Sequence, residues 1–530
     1  MGVVFRLIIA LAVTIAIASA TCCKDIKAEE VMDALHRYSS VNIDGYTVKG
    51  DLDLSLLPED GRGITAPLSI TNSTINGNLN FRNAALHEGI IISNSEIDGI
   101  VDLRGTQFYG IASFEKTKFN NISDFGSACF LQEACFDNSV FNDIADFSGA
   151  QFDGFAGFVN SEFGNITYFD SALFQQDAHF ENSSFNSTVD FNRSQFNGNI
   201  FFGDYSNPHN GSRFKGKAYF ELARFDGYAS FMGSSFSDDA DFWQSDFGDY
   251  IDFGETDFHN TTSFNWATFK KQAYFSNSSF LGNANFYGSQ FESDAMFDGA
   301  EFFSNLTLNW TRYKKMYIRW NSIGNLISDD AGYMSLIRNF KDLGYFEDAD
   351  DCYYRFRVEQ FEREYLGGTS PDGWIENLVQ YLPEFLPASF DLLAMIFYGY
   401  GVKPLYPLIW SVSSILLFGF IWMMGGLNAV IDNQGIFERY GSNQVKPSKK
   451  QTVAGNLVGM LSSLLNAMNF SVIVFLSGTK FFIDPPEIPY VQRLPKTLTK
   501  CIFIAERVLG GFFSILLFIA INATVVRQVS

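Results

Sequence analysis

Apolar residues along the first two thirds of the chain recur at alternating intervals of five and six. The pattern begins with the pairs Ile43/Val48, Ile70/Ile75, Phe81/Leu86, Ile92/Ile97 and Leu103/Phe108, so its full period is eleven. From Phe108 through Phe302 every one of these rung positions is Phe. The residue two before each rung is small or β-branched, as at Ala145, Ala150, Ser161, Thr167, Val189 and Ile251. Residues two apart in an extended chain point to the same side, so both belong inside. Alternating fives and sixes fit neither a helix face nor one amphipathic strand. They predict a coil whose short sides each send one large and one small group inward, stacked so that every backbone edge pairs with the next coil. Two insertions keep the phase, one of five residues between Leu54 and Ile64 around Pro58 and one of seven between Phe202 and Phe214 around Asn207-Pro208. Both are expected to be surface loops.

The units Ala145-Asp146-Phe147-Ser148-Gly149 and Ala240-Asp241-Phe242-Trp243-Gln244 resemble the pentapeptide-repeat family. The resemblance implies a mostly β protein, a right-handed four-sided parallel β-helix, joined here to a C-terminal α-helical transmembrane region. One extra residue after every second unit gives about 22 residues per coil and about a dozen coils from Val41 to Tyr313. The expected division is a signal peptide at 1–20, a helical cap at 21–42 with Val31, Leu35 and His36 near one face, the β-helix at 43–320, a helical connector and interfacial segment at 321–403, and the membrane region at 404–530.

At the N-terminus, Arg6, an apolar run from Leu7 to Ile17 and Ala18-Ser19-Ala20 read as a signal peptide cleaved before Thr21, with an uncleaved anchor as the alternative. Either places the repeat region outside the cell. Leu405 to Met424 carries no charge over a length that crosses a hydrocarbon core of roughly 30 Å. Val508 to Val526 is a second span. Between them Thr452 to Thr479 is apolar but flecked with Asn, Ser and Gly, which predicts a segment facing protein or water. The basic linker with Arg439, Lys446, Lys449 and Lys450 belongs in the cytoplasm by the positive-inside rule. The polar segment is then either re-entrant from that face or a third crossing. Tyr398-Gly399-Tyr400-Gly401 reads as a bend at the membrane edge, after a stretch from Phe385 that suits an amphipathic surface helix.

The order helix, polar segment, Pro-rich loop at Asp484–Glu487, helix resembles the two-helix, pore-loop layout of ion channels. That resemblance implies a pore lined by Asn469, Ser471, Ser477, Gly478 and Thr479. No Thr-Val-Gly-Tyr-Gly string is present, so potassium selectivity is not implied.

Composition narrows the rest. A chain of 530 residues with 58 Phe and only 13 Pro is neither one small domain nor disordered. A net charge of −22 argues against nucleic acid as partner. Six Cys are too few for a disulfide scaffold, and Cys129 and Cys135 should face outward on neighbouring sides. Eight acids crowd Asp238 to Asp257 without a Lys or Arg. Asp241, Asp246, Asp252 and Asp257 are therefore candidate ligands for a hard cation such as Ca²⁺, against the plainer reading of a solvated acidic girdle. Eleven Asn-x-Ser/Thr triplets in the rod, among them Asn165, Asn192 and Asn260, are candidate glycan acceptors. The five His show no metal spacing and no catalytic triad order, so neither an enzyme nor a cofactor is expected.

Two functions fit these features. The first is a protein of the cell membrane with an extracellular β-helix and an ion-channel-like membrane domain, expected to be a homo-oligomer and, as a channel, four-fold. The second is a non-conducting anchored rod that binds a protein or glycan partner, with membrane lipid around its anchor.

Overall fold

The computed structural model describes residues 24–37, 39–54, 63–203, 210–366, 382–427, 453–479, 483–488, 491 and 493–529. The signal-peptide reading, both insertion loops and the basic linker lie outside these residues. The chain divides into two compact units, Met1–Ser335 and Leu336–Ser530.

The first unit is a parallel β-solenoid. Phe108 pairs with Phe130 and Phe119 with Phe141, so each coil takes 22 residues. One side is a sheet of 13 strands running from Val41–Asp44 to Met316–Tyr317, and a second side has 11 strands. The remaining two sides form one 25-stranded sheet, because the strand Glu301–Thr307 pairs with both Ser279–Phe280 and Ala284–Asn285. Across the insertions Ile43 pairs with Ile70 and Phe185 with Phe214, so the extra residues leave the register of the next coil intact.

Four ladders of Phe fill the interior. Along each ladder the rings stack nearly parallel, as in Phe119–Phe141 at 4.5 Å and 1° and Phe125–Phe147 at 4.7 Å and 4°. Between ladders they meet edge to face, as in Phe125–Phe136 at 5.3 Å and 88°. Both arrangements are favoured by the ring quadrupole and add about 0.5–1.5 kcal/mol per pair beyond burial. The small residues beside the rungs do more than make room. Ser139, Ser161 and Ser183 donate their hydroxyls to the carbonyls of Phe114, Phe136 and Phe158 at 2.6, 2.7 and 2.5 Å, so these three buried hydroxyls are paired.

Two kinds of corner explain the five-six alternation. In the tighter one, the Thr117 N–H closes a turn on the Phe114 carbonyl at 3.2 Å, and Lys116 holds φ 55°. Asn83, Asn94, Asn138 and Gly149 occupy the same left-handed position in other coils. Among the described residues the wider corner lacks a left-handed residue except at Gly50 and Gly89.

At the N-terminal end the strand Lys24–Lys27 adds a partial coil by pairing with Tyr46–Lys49, ahead of helix α1 (Ala28–His36). Helix α1 buries Ala28, Val31, Met32 and Leu35. His36, expected on that buried face, is exposed, and Met32 takes its place because the packed stripe follows the i, i+3, i+4 spacing from Ala28. At the other end strands continue to Ile323–Ile327, past the expected boundary at 320, and helix α2 (Asp330–Asp342) comes next.

The second unit is helical. Helix α3 (Phe346–Phe361) is followed by α4 (Leu382–Leu393), and then by α5 (Leu405–Gly425), α6 (Val453–Leu476) and α7 (Lys496–Val529). Among the described residues two helices are long and apolar enough to cross a membrane, Leu405–Gly425 and the Lys496–Asn522 part of α7. Helix α7 starts well before the expected Val508. Charges at Lys496, Lys500 and Glu506 mask its first turns in the sequence, yet Glu506 and Arg507 lie inside the helix. The polar segment, expected to be either re-entrant or a third crossing, is a continuous helix from Val453 to Leu476. At Tyr398–Gly401 the chain bends, with Gly399, Tyr400 and Gly401 all at positive φ. Arg357 holds this bend from α3, stacking 4.8 Å over the Tyr400 ring and pairing with Asp391 at 2.6 Å.

Phe147 is fully buried and meets six rings, two stacked at 4.7 and 4.9 Å, three edge-on at 5.3, 5.5 and 6.0 Å and one tilted at 6.3 Å. Phe147→Ala is expected to cost about 3–5 kcal/mol in chemical denaturation. A cost under about 1 kcal/mol would mean that the ladder does not hold the rod together.

Candidate functional site between the membrane-length helices

Helices α5, α6 and α7 share an apolar core of Phe418, Trp422, Ala467, Phe470, Val474 and Phe503. Trp422 meets Phe470 edge to face at 5.4 Å. One carboxyl sits in this core. Glu506 of α7 is fully buried, accepts the Trp422 indole N–H of α5 at 2.7 Å, and accepts the hydroxyl of Ser471 of α6. The Ser471 oxygen also lies 2.9 Å from the Ile415 carbonyl of α5. A single carboxyl thus ties three helices, and a buried polar group held in this way is tolerated where a lipid-facing one is not.

Below this point α6 and α7 touch backbone to backbone. A Cβ on Gly478 would strike the Arg507 carbonyl and Gly511, and one on Gly510 would strike the Phe475 carbonyl. Small residues at such a crossing are how apolar helices approach closely.

The five residues expected to line a pore do not share a surface. Asn469 is exposed, Ser471 is spent on Glu506, and Ser477 donates to the Val474 carbonyl of its own helix at 2.7 Å. Gly478 is the crossing point, and the Thr479 hydroxyl is buried without a partner. Sequence reasoning misses Glu506, because its charge reads as the edge of a span. The signal is a lone acid flanked by Ile502–Ala505 and Val508–Leu509.

The four aspartates singled out for a cation are not brought together either. Asp241, Asp246, Asp252 and Asp257 sit on successive sides of the rod, because five or six residues carry the chain from one side to the next. Asp246 pairs with Lys270 at 2.7 Å, while Asp241 and Asp252 accept the N–H groups of Trp243 and Gly254 at 3.0 and 2.7 Å. Among the described residues no three His, Cys, Asp or Glu side chains form a metal-holding group. Burial lifts the Asp241 and Asp252 carboxyls above the ordinary range. Burial also pushes the Cys135 thiol up to about 11, and Cys129 and Cys135 are both free thiols on different sides.

The geometry defines a four-sided parallel solenoid with a helical region that includes two membrane-length helices. A family model described as pentapeptide repeats, in 9 copies, matches residues 136–183, 242–288 and 253–301, all within the rod. Those stretches of the rod are therefore similar to pentapeptide repeats. No curated protein and no solved structure matches the chain.

Substitutions at one buried and one half-buried carboxyl test these assignments. Glu506→Ala leaves the Trp422 and Ser471 donors unpaired and is expected to destabilise the helical unit by about 1–2 kcal/mol in a reconstituted unfolding assay, with Glu506→Gln costing less because it still accepts. Equal losses for the two would contradict the hydrogen-bond account. For Asp252 the folded carboxyl is raised, so its contribution to stability is present in acid and is lost as pH rises through the raised value. Asp252→Asn keeps an acceptor for Gly254 and should raise the melting temperature at pH 7 but not in acid, where a loss at both would count against burial as the cause.

Proposed function

We propose that the protein is a membrane-anchored structural rod, in which α5, α6 and α7 form a closed anchor and the solenoid presents its outer faces to a partner. The observation that carries this reading is the Glu506, Trp422 and Ser471 cluster, which uses polar groups of all three helices on one another and leaves them no lumen to line. The signal-peptide pattern at 1–20 and the basic linker between the spans support a cell-membrane location with the rod outside.

A second reading, a conducting pore made from several copies, has two observations in its favour. An acid inside a membrane-length helix is functional by default, and Asn469 lies exposed beside Met460, Leu461 and Leu465, a face suited to another copy.

The full chain, reconstituted in vesicles, is expected to float with lipid, to resist alkaline carbonate extraction and to give no unitary currents in a planar bilayer. Currents that change with Glu506→Gln would replace the first reading by the second. Extraction by carbonate would remove both.

A further inference from the structure

The left-handed corner position is occupied along most of the rod by Asn, Gly or Ser, of which Gly and Asn enter that conformation at low cost. Near its C-terminal end two of these positions hold tryptophan. Trp266 and Trp310 have φ 59° and 60°, the corner conformation that Lys116, Arg193 and Leu222 also adopt, so what sets them apart is the side chain. They lie two coils apart on one corner, with Gly288 at the coil between them. A Cβ on Gly288 would come within 2.7 Å of the Trp266 ring, so only glycine lets that indole lie across the corner. The two indoles meet at 6.5 Å and 90°, and Tyr287 backs Trp310 at 6.0 Å and 20°. Despite these contacts Trp266 and Trp310 remain 44% and 63% exposed.

Both rings open onto a cavity of about 510 Å³ whose polar wall includes Gln290, Arg312, Asp329 and Ser335. Asp329 uses one carboxylate oxygen to accept the Gly332 N–H at 2.8 Å at the start of α2, which fixes the side chain at the rim. Side-chain oxygens of Asn265, Ser289, Asn309 and Ser328 are buried without partners, and each belongs to a residue adjacent to one lining the cavity. A volume of this size, two exposed rings and a few convergent polar groups are the make-up of a small-molecule site.

We propose that this cavity is a carbohydrate-binding site for a neutral pyranose at the end or branch of a glycan. A pyranose presents a C–H face that stacks on an indole and a ring of hydroxyls that both donate and accept. Trp310 and Trp266 supply a floor and a perpendicular wall, and the planar ends of Arg312, Asp329 and Gln290 supply donors and acceptors at the edge. A proline-rich peptide, the other ligand that favours exposed aromatics, docks on aromatic-lined grooves and offers few groups to pair with four polar side chains. The proposal rests on the reading of the rod as a presenting platform and names what it presents to.

The test uses the full chain in lipid nanodiscs prepared without glycoside detergents. The probes are neutral di- and trisaccharides of glucose, galactose, mannose and N-acetylglucosamine, with a proline-rich decapeptide as comparison, read by tryptophan fluorescence and saturation-transfer NMR. At least one sugar is expected to bind saturably, with affinity falling about tenfold or more in Trp310→Ala and partly recovered in Trp310→Phe. Gly288→Ala, which displaces the Trp266 indole, is expected to weaken the same sugar. Trp310 is exposed, so its replacement leaves the ladders intact, and an unchanged circular dichroism spectrum confirms this for each variant. Binding by no sugar, binding of the peptide at these tryptophans, or sugar binding unaffected by Trp310→Ala overturns the proposal. Nanodisc incorporation is scored separately. A chain that incorporates but binds no sugar retains the anchor and loses the site, whereas one that binds sugar without incorporating retains the site and loses the anchor.

Discussion

The spacing between hydrogen-bonded parallel strands, about 4.8 Å, is also a comfortable distance between stacked aromatic rings, and the rod depends on that coincidence. Phe108–Phe130, Phe147–Phe169 and Phe258–Phe280 stack at 4.7, 4.9 and 4.8 Å, so neither the strands nor the rings have to yield. Each ring adds roughly 1.5–3 kcal/mol by burial, repeated coil after coil. The same packing leaves no interior space for chemistry. Whatever the rod does, it does on its outer faces, at its corners or at its ends.

Ends and corners are where the repeat is broken. A solenoid must close its terminal coils, and here Lys24–Lys27 with α1 covers one end while the Glu301–Thr307 strand and the start of α2 lie at the other. The cavity walled by Trp266 and Trp310 forms where the last coils meet α2, the place where repeat symmetry stops dictating the side chains. In the helical unit the corresponding irregularity is Glu506, the one buried acid among the shared apolar contacts of α5, α6 and α7.

The coil length, the inward Phe and small residues, and the unbroken phase across both insertions are legible in the sequence, because one periodicity is repeated many times and each repetition tests it. The corners are not. Asn83, Lys116, Leu222 and Trp266 share one backbone conformation but no side-chain chemistry, and only their φ values unite them. The aspartate cluster misleads for a related reason. Neighbours in sequence fall on different sides of a four-sided coil, whereas Trp266 and Trp310, far apart in sequence, share a corner. In the membrane-length segment polar residues suggest a lining, but hydrogen bonding to Glu506 turns Ser471 inward. Partners on three different helices leave no local pattern.

The claim that these helices close on one another is tested most directly by hydrogen–deuterium exchange of the full chain in lipid nanodiscs. The account predicts slow exchange along the α6 segment from Ser462 to Leu476, comparable with the central coils of the rod, because no water reaches Ser471 or Glu506. Exchange of that segment within seconds, while the rod stays protected, would show a water-filled path between the helices and contradict it.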